Sequence, residues 1–152
     1  MPEGAWPHRF SECADCILRA SRHGLGDWPN ASDSAAHNFD ANTVVYTGTH
    51  DNNTSQGWWL EASDAERQHV RDYLGRTLQD ELEIHWQLIT AACASVADTA
   101  IHPMQDVLGL DGGSRMNLPG VGHGYWEWRF SWGQVKPGHA QRLVRLGGLY
   151  GR

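Results

Sequence analysis

The chain has 152 residues, of which 40% are hydrophobic, and a formal net charge of −6 at pH 7. This length supports one ordinary domain with a packed core, but a complete eight-stranded α/β barrel needs roughly 250 residues. The negative charge gives no indication of a nucleic-acid or membrane-surface partner, and no stretch approaches the ~20 apolar residues that span a bilayer.

The N-terminus and the cysteine count predict the cellular setting. The opening sequence MPEGAWPHRF lacks a basic start followed by an apolar run, so it does not resemble a secretory signal peptide. Three cysteines provide no disulfide framework. We therefore predict a soluble protein in the reducing cytoplasm.

The first 36 residues keep neither a helical nor a strand period for long, and we assign them no fold. The stretch from Cys13 to Arg22 suggests a short helix. One cysteine pair here has metal-ligand spacing and is flanked by histidines, the four residues being His8, Cys13, Cys16 and His23. A single CxxC without a second pair is weak evidence for zinc. A small cysteine-histidine metal protein stays open as an alternative, but we assign no metal site and predict no cofactor.

A β-favouring run at residues 43–47 is the first strong element. It ends at Gly48 and opens onto a polar cluster that contains His50 and Asp51. Loops that follow the strands of α/β barrels carry catalytic groups. The Asp51 carboxylate could accept hydrogen bonds from sugar hydroxyls, which stabilise an oxocarbenium-like transition state, and His50 could donate another. The alternative is that Asp51 forms an Asx-turn that merely ends the strand.

Two helices are predicted next. Ser63 and Glu66 form a capping box at the start of the first, and Gly75 suits its end. The second is predicted over residues 78–97, where apolar residues recur at three- and four-residue steps: Leu78, Leu82, Trp86, Ile89, Cys93 and Val96. Cys93 is accordingly predicted to lie in the core.

A short buried strand is predicted at residues 99–101, stopped by Pro103, and it completes a βαβ unit with the first strand. Asp106 is expected to pair with Arg115. Asn117 offers both a donor and an acceptor, as hydroxyl recognition requires, or is simply a turn residue before Pro-Gly.

Towards the C-terminus, residues 126–130 alternate apolar and charged side chains as an extended segment does. A closing helix is predicted at residues 140–149, with its core-facing positions at Leu143, Val144 and Leu146.

Several of these segments resemble the amylomaltases, which are 4-α-glucanotransferases also called disproportionating enzymes. The similarity begins with residues 44–52 (VVYTGTHDN) and 57–59 (GWW). It continues in order through residues 101–110 (IHPMQDVLGL), 115–120 (RMNLPG), 126–130 (WEWRF) and the ending 149–152 (LYGR). The resemblance covers residues 37–152, whereas residues 1–36 do not match.

The resemblance implies an α/β fold in which this chain is the C-terminal fragment of a (β/α)8 TIM barrel, with residues 37–152 supplying its last strands and helices. It implies transfer of α-1,4-glucan segments to the 4-hydroxyl of an acceptor sugar. Asp51 falls on the family's transition-state-stabilising Asp, His50 on its hydroxyl-binding neighbour, and Asn117 in a loop that borders the donor site. Maltooligosaccharides would be the ligands, and no cofactor is required.

The family's nucleophilic Asp and acid/base Glu lie upstream in its members, and we find neither in this chain. Retaining glycoside chemistry needs two carboxylates about 5 Å apart. We therefore expect this chain to be inactive alone, unless a second chain supplies the missing half of the barrel. A non-catalytic glucan-binding module is the alternative function, since eight tryptophans could include stacking surfaces for sugars.

Overall fold

The computed structural model describes residues 19–22, 41–75 and 83–152. In this part of the chain a three-stranded sheet has the order β1 (Arg19–Arg22), β2 (Thr43–Tyr46), β3 (Thr99–Ile101). β1 pairs antiparallel with β2, whereas β2 and β3 are parallel. Parallel neighbours need a long crossover connection, and the helices between β2 and β3 provide it. The predicted βαβ unit is therefore confirmed, but the prediction that its last strand is buried is wrong, since Thr99 and Ile101 are exposed.

The helix predicted from Cys13 to Arg22 is wrong over its last four residues, because these form β1. Their backbone groups pair with the edge of β2 that lies opposite β3. The earlier residues of the predicted helix lie outside the described part of the chain, as do the cysteine pair and both flanking histidines.

Among the described residues, five helices accompany the sheet: α1 (Ser55–Glu61), α2 (Asp64–Leu74), α3 (Ile84–Ala94), α4 (Met104–Val107) and α5 (Pro137–Tyr150), with short 3-10 turns at Gly112–Ser114 and Trp132–Gln134. The capping box predicted at α2 is confirmed by reciprocal bonds between Ser63 and Glu66. Gly75 ends this helix in the left-handed conformation at φ 62°, which glycine adopts without steric cost. None of the described helices is long and apolar enough to cross a membrane.

Helix α3 lies at the centre of the packing. Seven of its residues are buried, because neighbouring elements cover the helix on several sides. Three buried clusters surround it: Val45, Ala92 and Ala97 against the sheet; Trp59, Val70, Ile84 and Leu88 against α1 and α2; and Trp86, Ile89, Cys93 and Val107 against α4. Cys93 is buried as predicted.

The predicted second helix ends earlier than expected. Its described part is α3, which stops at Ala94 because Ser95 turns the backbone to an extended conformation with ψ 166°. Val96 is consequently 59% exposed instead of lying on the apolar face. Leu78 and Leu82 lie outside the described residues.

The last helix covers the third cluster and brings the chain end to α3. Leu143 and Leu146 of α5 pack against this cluster as predicted, but Val144 points away and is 76% exposed.

Beyond α5, the guanidinium of Arg152 donates to the carbonyls of Cys93, Ser95 and Ala97 at 2.7, 2.6 and 2.5 Å. Cys93 lies in the last turn of α3, Ser95 is its C-cap, and Ala97 belongs to the segment that leads to β3. Arg152 therefore caps the end of α3 and holds the segment that follows it.

Candidate functional site

The loop after β2 presents His50 and Asp51 to solvent. The carboxamide oxygen of Asn52 accepts hydrogen bonds from both the backbone N–H and the hydroxyl of Thr49, each at 2.8 Å. The Asn52 N–H returns a bond to the Thr49 carbonyl at 3.2 Å. Asn52 therefore closes the turn, and the Asp51 carboxylate takes no part in these bonds. This geometry disfavours the interpretation that Asp51 merely ends the strand.

Asp51 contacts the loop that carries Asn117. The Asn117 amide donates to Oδ1 of Asp51 at 2.6 Å. Arg115 supports both partners through their backbones, since its guanidinium donates to the carbonyl of Asp51 at 3.1 Å and to that of Asn117 at 3.2 Å. Two distant segments are thus held together, and the predicted site residues Asp51 and Asn117 are direct neighbours.

His50 lies on the other side of the Asp51 carboxylate. Its Nε2 is 3.4 Å from Oδ2 of Asp51, and the two side chains are 55% and 49% exposed. That separation exceeds an ordinary N–H···O distance, so the imidazole is near the carboxylate without being tightly bound to it. The structure therefore brings all three predicted site residues to one exposed location.

Trp126 completes this group, although the sequence indicated only that it is one of several tryptophans that could be stacking surfaces or part of the core. Its ring centroid is 5.0 Å from that of His50. Its φ of 68° is the only positive value of a non-glycine residue in the described part of the chain, and such a backbone costs about 1–3 kcal/mol. Its N–H donates to the carbonyl of Met116 at 2.7 Å, which anchors it to the Asn117 loop. Residues 126–130 form no regular strand, so the predicted simple extended segment is wrong at its first residue.

A cavity of about 570 Å³ opens beside this group. His50 and Arg115 line it together with the amides of Asn52 and Gln105, while Ile101 and Met116 contribute apolar surface. Asp51 and Asn117 are not among its lining residues. The volume falls within the range of small-molecule sites, and the lining combines apolar surface with a few polar groups, as such sites do.

Asp106 stabilises the fold beneath the site, and the prediction that it pairs with Arg115 is wrong. It is 1% exposed, and its two carboxylate oxygens accept from the Thr47 hydroxyl at 2.6 Å and from the Ser55 N–H at 2.8 Å. Ser55 is the first residue of α1, so the carboxylate satisfies a free N–H at a helix start, where negative charge is favourable. Asp106 therefore ties the end of β2 to α1, underneath the exposed loop.

Two histidines lie below the surface of this region. The ring of His85 is 3.4 Å from the Gln56 side-chain oxygen, and burial lowers its pKa. Nε2 of His102 is 3.5 Å from the sulfur of Cys93, and burial lowers the pKa of His102 as well. Burial raises the pKa of the Cys93 thiol, so burial favours the neutral form of both the His102 ring and the Cys93 thiol. Within residues 19–22, 41–75 and 83–152, no group of three or more His, Cys, Asp or Glu could hold a metal ion.

Comparison with known proteins identifies the family. A sequence model described as 4-alpha-glucanotransferase matches residues 17–135, which is most of the chain. The chain belongs to the 4-alpha-glucanotransferase family. The family match begins upstream of residue 37, where the resemblance in the sequence begins, and it includes β1.

Individual relatives agree with this assignment. The chain is 47% identical over 113 residues to a 4-alpha-glucanotransferase of Synechocystis, which covers 74% of this chain and 22% of the relative. It is 47% identical over 120 residues to a chloroplastic/amyloplastic 4-alpha-glucanotransferase of Oryza sativa subsp. japonica, covering 76% and 20%. The chain thus spans about a fifth of the length of these family members.

A solved family structure has the same local fold. The amylomaltase from Streptococcus agalactiae in complex with acarbose superimposes with a TM-score of 0.75 at 30% identity, covering 80% of this chain and 24% of that one. The mixed α/β arrangement described above is therefore that of a segment of an amylomaltase.

Proposed function

We propose that this chain is the C-terminal portion of a 4-α-glucanotransferase, an enzyme that passes α-1,4-glucan segments to the 4-hydroxyl of an acceptor sugar. The observation that carries the proposal is the contact between Asp51 and Asn117, with His50 beside them, on an exposed loop after β2. Family membership supports it, since the relatives of Synechocystis and rice bear this activity in their names.

In this proposal Asp51 stabilises the transition state, and His50 and Asn117 bind substrate hydroxyls. An ionised carboxylate accepts strong hydrogen bonds from hydroxyls, and bonds that strengthen as a sugar ring distorts lower the barrier to glycoside cleavage. The Asn117 amide keeps a carbonyl oxygen free to accept while its N–H group is engaged with Asp51. Maltooligosaccharides are the proposed ligands, and the acarbose bound to the Streptococcus agalactiae relative is consistent with a sugar site.

We propose further that residues 37–152 are the last strands and helices of a (β/α)8 barrel, with residues 1–36 left unassigned. The parallel pair of β2 and β3 and the crossover helices support this assignment. The antiparallel β1 differs from a barrel strand, because the strands of such barrels are parallel. A second chain that supplies the remaining strands, and a cytoplasmic location, belong to the same proposal.

This chain contains only one of the family's three catalytic acids, Asp51, and retaining chemistry needs two carboxylates. The isolated chain should therefore not disproportionate maltotriose. The decisive test is a chimera in which this chain's residues 37–152 replace the matching segment of the Synechocystis relative. We expect turnover of maltotriose to glucose and longer dextrins. The Asp51→Asn variant of the chimera should lose at least about a hundredfold in kcat, the magnitude typical for loss of one transition-state-stabilising group.

The matched control is Asp72→Asn, a change of the same chemistry on the exposed surface of α2, which should leave kcat unaltered. If Asp51→Asn has the kcat of the unmodified chimera, the proposed role of Asp51 is wrong. If the isolated wild-type chain makes dextrins steadily, the proposed inactivity is wrong.

A non-catalytic glucan-binding module is the second candidate, and the exposed indole of Trp126 beside His50 favours it. Titration calorimetry of the isolated chain with millimolar maltoheptaose tests this candidate. Cellohexaose, which has β-1,4 links, is the control sugar. Heat with maltoheptaose alone supports binding of α-1,4-glucans, and equal heats or none would exclude a specific module.

A further inference from the structure

Trp126 presents a large apolar ring at the Asp51 site. The residue is 55% exposed, although burial of an indole is strongly favourable. On one side the ring contacts His50, with a centroid distance of 5.0 Å and an angle of 41° between the planes. The indole is therefore supported from one direction and open to solvent in others.

The backbone of Trp126 adopts a conformation that its side chain disfavours. A φ of 68° is unusual for any residue with a Cβ and is a genuine outlier for a bulky one. Gly124, two residues earlier, has a similar φ of 78°, which a glycine adopts without strain. The same conformation at Trp126 is strained, because tryptophan has a Cβ. Strained residues cluster at ligand-binding sites, where the surrounding structure holds a side chain in one orientation.

Two loops hold this orientation. The bond from the Trp126 N–H to the Met116 carbonyl joins the residue to the loop that carries Asn117. The His50 ring joins it to the loop that carries Asp51. The indole thus lies against His50, whose Nε2 is 3.4 Å from the Asp51 carboxylate, and that carboxylate is bonded to the Asn117 amide, so an apolar surface and polar groups meet in one region.

We infer that Trp126 is the stacking surface for the C–H face of the glucosyl unit whose hydroxyls bond to Asp51 and His50. This inference rests on the proposed function and adds a substrate-binding residue to it. An apolar ring beside a few well-placed polar groups is the usual composition of a site for a ligand with both kinds of surface. Aromatic side chains supply this apolar contact with few rotatable bonds to immobilise.

The test is calorimetry with maltoheptaose on the complete chain and on four variants. Trp126→Ala and Trp126→Gly should each weaken binding about tenfold, because the stacking surface is lost. Trp126→Phe keeps an aromatic face and should stay within about threefold of wild type. Trp132→Ala is the matched control, since Trp132 is 78% exposed and packs on Phe130 instead of His50. It should bind as wild type does.

Trp126→Gly separates binding from folding. Glycine relieves the left-handed strain, so its thermal midpoint should equal or exceed that of Trp126→Ala while its affinity is equally poor. Wild-type affinity in Trp126→Gly overturns the inference and leaves the proposed function intact. Absence of maltoheptaose binding by the wild-type chain also overturns it, and the turnover of the chimera then shows separately whether the transferase proposal fails.

Discussion

The side-chain amide of Asn117 donates a 2.6 Å hydrogen bond to Oδ1 of Asp51 across a separation of 66 residues. We expect Asn117→Ala to lower kcat/KM of the chimera on maltotriose by about five- to tenfold, because the Asp51 carboxylate loses the partner that orients it. Both side chains are accessible to water, so the free energy of unfolding should hardly change.

Gln68→Ala, on the exposed surface of α2, is the control and should have the kinetics of the unmodified chimera. Steady-state kinetics together with a thermal melt distinguish a positioning effect from misfolding. An Asn117→Ala chimera with unaltered kcat/KM would remove Asn117 from the site.

Asp106→Ala should destabilise the chain by about 2–4 kcal/mol, because the change leaves a buried hydroxyl and a helix-start N–H without their acceptor. Thr47→Val removes one of the two bonds and should cost about 1–2 kcal/mol. Urea unfolding followed by circular dichroism measures both. Asp72→Ala, an exposed change on α2, should stay within about 0.5 kcal/mol of wild type. Similar midpoints for Asp106→Ala and Asp72→Ala would contradict the structural role of Asp106.

Gly57→Ala should also destabilise the fold, because an added Cβ would lie 2.5 Å from the Asn53 Oδ1 and 2.5 Å from the Gly112 backbone nitrogen. Overpacking of this kind costs about 1–3 kcal/mol. Gly138→Ala is the matched control within a helix, since a Cβ there meets nothing within 4 Å. It should be neutral or stabilise by up to about 1 kcal/mol. Equal melting temperatures for the two variants would mean that α1 can move away from the Gly112 turn.

Stability should fall as the pH is lowered from neutral. Burial is the largest cause of the lowered pKa of His85 and of His102, whose ordinary value is 6.5. The unfolded chain therefore takes up protons on these rings before the folded chain does, so stability is full above about pH 6.5 and decreases as pH falls through the folded-state values. Glu83, whose pKa is lowered mainly by its hydrogen bond from Arg142, adds a separate decrease only below its ordinary 4.5.

Urea unfolding at several pH values between about 5 and 8 measures this dependence. His102→Leu and His85→Gln should each reduce the slope, because each removes one of the two titrating rings. A wild-type stability that is constant over this interval would show that the two rings are not held neutral by burial.

Arg152→Met should cost about 1–2 kcal/mol, because the carbonyls of Cys93, Ser95 and Ala97 lose their donor. Arg145→Met, on the exposed face of α5, is the control and should be nearly neutral. Thermal melts of both variants in low and high salt measure the effect. If Arg152→Met has the same melting temperature as the wild-type chain, water replaces the guanidinium without loss of stability.

Local sequence signals predicted the elements whose stabilising contacts are local. The capping box of Ser63 and Glu66 spans three residues, and the glycine that ends α2 follows it directly, so both could be read from the sequence. Asp106 could not be assigned correctly, because its partners lie 59 and 51 residues away. The helix α1 was also missed, since a Thr54 cap and an N–H bond to Asp106 start it without an apolar stripe.

The same distinction applies to the site. The pattern at residues 48–54 pointed to His50 and Asp51, but nothing local indicated that Trp126 would adopt φ 68° and contact His50. The glycines that precede Trp126 indicate tight turns, but they do not specify which side chain those turns orient or what it contacts.

The antiparallel pairing of β1 with β2 has a consequence for assembly. β2 already has a neighbour on each side, so a barrel strand from another polypeptide could dock there only by displacing Arg19–Arg22. β3 has one side without a neighbour among the described strands and could accept such a strand directly. A complementary fragment would have to pair at two sheet edges, and at one of them β1 of this chain would compete with it for β2.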